Sequence, residues 1–108
     1  MNLNEIAEKA YNTAIKRGQY QGDIKDVLLH LVTEVGELIK SNKMANYGLF
    51  EQLVEKMGYK EAYEFAIKDT IDAEIGGIVL LIAGLSKCYN IDLEIAVSME
   101  QKYNEQRI

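Results

Sequence analysis

The stretch LLHLVTEVGELIK, residues 28–40, sets Glu34 and Glu37 three positions apart and His30 one helical turn before Glu34. On a helix these three residues share one line, and that line borders the apolar positions of the same stretch. Two carboxylates held side by side at the edge of a core repel each other. A hard divalent cation such as Mg2+ removes that cost by accepting their oxygens. A solvated acidic edge uses the same spacing, because glutamates three apart are commonplace on helices. His30 suits such an ion less well than the carboxylates, since Mg2+ prefers oxygen to imidazole, and a packing role fits it equally. A third acid, Glu74, stands within TIDAEIGGIVLL, residues 70–81, again at the edge of an apolar stripe. If that segment packs against the first, three acids face one cleft. Gly76 and Gly77 follow Glu74 in what reads as mid-helix, where each weakens the helix by about 1 kcal/mol relative to Ala.

Helices must carry these groups, because the chain has no proline and its apolar residues recur at helical spacing. The expected fold is all-α, with four to five helices. Asn4 can cap a first helix with Ile6, Ala10, Tyr11 and Ala14 on one face, and Gly18 can end it in a left-handed conformation. After a turn over residues 18–22, Asp23 starts a second helix. Its stripe of Val27, Leu28, Leu31, Val35, Leu38 and Ile39 runs until Asn46 and Gly48. A short helix from Leu49 to Met57 stops at Gly58. A long one then runs from near Lys60 to Tyr89, with Ile67, Ile71, Ile75, Ile78, Ile82 and Leu85 on one side. Asn90 closes that helix and Asp92 caps the last one, which carries Leu93, Val97 and Tyr103.

At 108 residues and 48% hydrophobic content, the chain suits a single domain over 1–108, small enough for partner subunits to add to its core. Residues 78–83, IVLLIA, have no polar face, so that half of the long helix must be covered on several sides. A homodimer or homotetramer is therefore expected, with a helical bundle completed across a two-fold axis by the face of Val79, Leu80 and Ala83. A net charge of -5 without a basic block argues against DNA, RNA or an anionic membrane as partner. The longest uncharged run, 75–85, falls well short of the roughly 20 apolar residues that span a bilayer. One cysteine, Cys88, and a polar start without a signal-peptide core point to the cytoplasm.

In its acidic motifs the chain resembles the MazG-like all-α nucleotide pyrophosphohydrolases, whose pattern is Glu-x-x-Glu on one helix and Glu-x-x-Asp on a later one. LLHLVTEVGELIK looks like the first motif in its apolar frame, and KDTIDAEIGG like the approach to the second. NIDLEIA and the ending KYNEQR are similar to the segments downstream of the second motif in phage-type members. The resemblance covers most of the chain. It implies hydrolysis of a nucleoside triphosphate or related nucleotide, between the α and β phosphates, to monophosphate and pyrophosphate. Mg2+ or Mn2+ would be held by Glu34, Glu37 and Glu74, the three residues that match the family's catalytic acids. The family's aspartate falls on Gly77 here. Asn104 matches the asparagine of the family's Tyr-Asn pair, but the basic residue usual four positions earlier is Glu100, which leaves Lys102 and Arg107 as nearby cations for phosphate. Asp72 points far from Glu74 on a helix and does not replace the missing ligand. Tyr11, Tyr20, Tyr47, Phe50 and Tyr103 are candidates to stack on a base, and each suits a core or surface position equally. Three readings stand together: a working hydrolase with an altered metal site, a catalytically inactive relative that binds nucleotides or only assembles, and a helical protein-interaction module.

Overall fold

A computed structural model describes residues 1–20, 23–40, 47–66 and 70–107, with the side chains of Ile39, Lys40 and Tyr47 outside the description. The described residues form six α-helices and no strand: α1 (Leu3–Lys16), α2 (Ile24–Lys40), α3 (Tyr47–Met57), α4 (Tyr59–Phe65), α5 (Ile71–Cys88) and α6 (Leu93–Gln106). The all-α class agrees with the sequence; the count exceeds the expected four to five. None of these helices is long and apolar enough to cross a membrane.

The extra helix comes from a break in the long segment expected over 60–89. α4 ends at Ala66, whose N–H still bonds the Ala62 carbonyl at 3.0 Å, and a new helix starts after Thr70. Thr70 is buried, and its Oγ1 accepts a hydrogen bond from the Ala73 N–H at 3.0 Å, satisfying one of the donors that a helix start leaves open. Asp72 and Glu74 in the following turn favour the same start, because carboxylates are stabilised at the positive end of a helix. Ile67, expected in the isoleucine row, lies outside the described residues.

The other boundaries follow local chemistry. α1 is capped by Asn2, two residues earlier than expected, through an Asn2 side-chain oxygen that accepts from the Glu5 N–H at 2.8 Å. Asn4 is instead engaged with the start of α6. Its Nδ2 donates to Asp92 Oδ1 at 2.9 Å, its Oδ1 accepts from the Glu94 N–H at 3.2 Å, and Glu94 in turn accepts from the Leu3 N–H. At the other end of α1, Gly18 adopts φ 73° as expected. There Gln19 N–H bonds Ala14 O and Gly18 N–H bonds Ile15 O, both at 3.0 Å, the paired closure that a left-handed residue permits. Asn90, with φ 55°, repeats this closure after α5 through Ile91 N–H to Ser86 O and Asn90 N–H to Lys87 O. Asp92 then caps α6 by accepting from the Ile95 N–H at 3.1 Å. Gly58, at φ 85°, separates α3 from α4 in a conformation that a side chain would strain.

The chain divides into two compact units, Met1–Leu28 with Val79–Ile108, and Leu29–Ile78; α2 and α5 contribute residues to both. In the first unit α1 packs on α6, and Gly84 of α5 admits a close approach. A methyl group there would stand 2.7 Å from the Tyr20 hydroxyl, whose ring is stacked on Tyr11 at 5.5 Å between centroids. In the second unit α3 packs on α4, Phe50 meets Tyr59 edge-on at 5.9 Å, and the Tyr59 hydroxyl donates to Asp72 Oδ2 at 2.6 Å. That bond ties α4 to the first turn of α5.

The buried apolar residues among those described are Ala7, Ala14, Val27, Phe50, Ala62 and Ala83, and no large side chain is fully enclosed. Small residues let helices come close, and the larger apolar groups are left at their flanks. Leu28 and Val35 of the α2 stripe are exposed, as are Ile75 and Ile82 of the isoleucine row expected on α5, so each stripe is only partly covered among the described residues. Of the face expected to meet a partner, Ala83 is buried, whereas Val79 and Leu80 stand open.

Candidate metal centre

All three candidate acids belong to the unit formed by Leu29–Ile78, so one set of contacts defines the site. Glu34 and Glu37 lie on α2, held one turn apart by the helix itself. Glu74 enters from the first turn of α5, which the Thr70 cap sets in place. One carboxylate oxygen from each of the three lies within 4.8 Å of the other two. Helix periodicity accounts for Glu34 and Glu37; Glu74 comes to them on another helix, from 37 positions beyond Glu37.

Burial within the trio is graded. Glu74 is 8% exposed, with its Oε1 shut off from solvent, while the Glu34 side chain is 30% exposed and Glu37 lies at the surface. This crowding raises the Glu34 pKa above its ordinary value. Burial is the largest cause, followed by a hydrogen bond with Glu74 and the negative charges of Glu37 and Glu74, with His30 pulling the other way. A hydrogen bond between two carboxyl groups needs a proton on one of them, which is why this contact favours the protonated form of Glu34. His30 Nε2 lies 3.6 Å from Glu34 Oε1, and its side chain is 55% exposed. It stands beside Glu34, one turn earlier on α2, and is not part of the three-acid group.

The donor set suits a hard cation. An octahedral shell with bonds of about 2.1 Å places neighbouring oxygens about 3 Å apart and opposite ones about 4.2 Å apart, so small side-chain rotations would let the three carboxylates reach one ion. Gly77 stands one turn beyond Glu74 and is exposed, with no atom within 4 Å of the position a Cβ would occupy. A side chain at residue 77 thus meets open space.

The remaining candidates are not part of the three-acid group. Asn104 and Lys102 are exposed in the last turns of α6, Arg107 is its C-terminal cap, and Glu100 is exposed on the same helix; all four belong to the first unit. Of the aromatic candidates, Tyr11 and Tyr20 stack on each other, Phe50 is buried and Tyr103 is exposed. The Tyr47 side chain lies outside the described residues. Thr70 contributes to the site without having been expected there. Its signal was a hydroxyl residue followed within one turn by two acids, the pattern of a helix start.

The chain matches no family model, no curated protein and no solved structure.

Proposed function

We propose that this chain is a nucleotide pyrophosphohydrolase-like protein of MazG type. In this reading it is a single cytoplasmic domain that holds one Mg2+ or Mn2+ between Glu34, Glu37 and Glu74 and cleaves a nucleoside triphosphate to monophosphate and pyrophosphate. The observation that carries it is the meeting of three carboxylates from two helices, one of them buried, within 4.8 Å. A packed helical pair gains nothing from gathering like charges unless a cation or proton offsets them. An ion held there would neutralise phosphate charge and lower the pKa of the attacking water. Glu74 would hold the inner side of the site, with Glu34 and Glu37 on its more open side. The resemblance also implies nucleotide contacts from Asn104, Lys102 and Arg107, all three exposed on or at the end of α6. Large apolar groups left open on α2, α5 and α6 support a homo-oligomer as the working form.

The second reading, an inactive relative that binds nucleotide or serves as an interaction module, is favoured by Gly77 and Glu100. The first removes a carboxylate that the resemblance implies, and the second puts an acid where it implies a base. Calorimetric titration with Mg2+ and Mn2+, of the parent and of Glu74→Gln, tests the site itself. Saturable binding that the substitution abolishes while the helical circular dichroism persists is the expected result. A parallel screen of common and modified nucleoside triphosphates for pyrophosphate release separates enzyme from inactive relative. Absence of metal binding would leave the interaction module.

A further inference from the structure

We draw no further inference here: the strongest candidate, the open groove beside the first turn of α5 lined by Tyr59, Ile71, Asp72, Ile75 and Gly76, holds a tyrosine and a carboxylate bonded to each other as the tie between α4 and α5, and nothing in the structure shows what covers it.

Discussion

Glu34 and Gly77 carry the two experiments that bear most directly on the site. The folded chain keeps the Glu34 proton to a higher pH than the unfolded chain does. Its contribution to stability is therefore fully present below the ordinary carboxylate range and is lost as pH rises through the raised value. Melting temperatures of the parent, measured in chelator from about pH 4 to about pH 7, are expected to fall relative to those of Glu34→Gln, which has no proton to lose. Saturating Mg2+ should reverse the difference at the upper end, because the ion replaces the proton as counter-charge. Parallel curves in chelator would show that Glu34 is not coupled to Glu74. At residue 77, open space allows Gly77→Asp without displacing a neighbour. The substitution relieves the helix penalty of glycine only partly, since Asp is itself a poor helix former, and it adds a fourth acid to a crowded group. Without metal, Gly77→Asp is expected to be no more stable than the parent. With metal at 100 times its dissociation constant, a folded-state ligand adds about 2.7 kcal/mol, and a more tightly binding variant gains more at a fixed concentration. Pyrophosphate release should rise too, in Gly77→Asp alone or combined with Glu100→Lys. A folded double variant with neither metal-dependent stabilisation nor hydrolysis would separate residue 77 from any metal site.

At the scale of helices, the joint between α4 and α5 matters most, because it decides where Glu74 enters. Thr70 holds that joint from the α5 side by its hydroxyl, and Tyr59 ties across it to Asp72. Thr70→Ala is expected to cost about 1 kcal/mol, the usual value of an N-terminal cap, while Thr70→Ser keeps the oxygen and most of the stability. Denaturant unfolding of the three proteins measures this. Metal affinity should follow the same order, since fraying of the first turn of α5 displaces Glu74; unchanged affinity in Thr70→Ala would show that the rest of α5 suffices to place it.

For the whole molecule, the exposed apolar groups pose the main question. Val79 at 44% exposure and Leu80 at 51% lie on a helix whose middle has no polar face, and α6 adds Ile95 and Val97, also open. Soluble single chains rarely leave such rows uncovered. With a second copy as the cover, the parent is expected to sediment as a dimer or larger at micromolar concentration. Leu80→Arg, set where this chain leaves space, should yield a folded monomer, because an arginine is tolerated in water and strongly disfavoured inside an interface. A parent that sediments as a monomer would remove the oligomer from the proposal.

By itself the sequence determined what local physics controls. The all-α class came from spacing and the lack of proline, and the closures at Gly18, Gly58, Asn90 and Asp92 came from residues whose side chains, or lack of one, suit those backbone angles. The Glu34 and Glu37 pair was legible for the same reason, being neighbours on one helix. Periodicity failed at Thr70, because an isoleucine row at helical spacing runs on through the cap and masks the new helix start there. It failed also for burial, since a stripe shows which face is apolar and not what covers it; packing through alanines left Leu28, Ile75 and Ile82 open. Only the tertiary structure decided that Glu74 meets Glu34 and Glu37, that Asn2 caps α1 while Asn4 joins α1 to α6, and that residue 77 faces open space. The meeting of the three acids and the Asn4 contacts depend on how separate helices come together, a long-range choice set by side chains on both partners and carried by no local pattern in either.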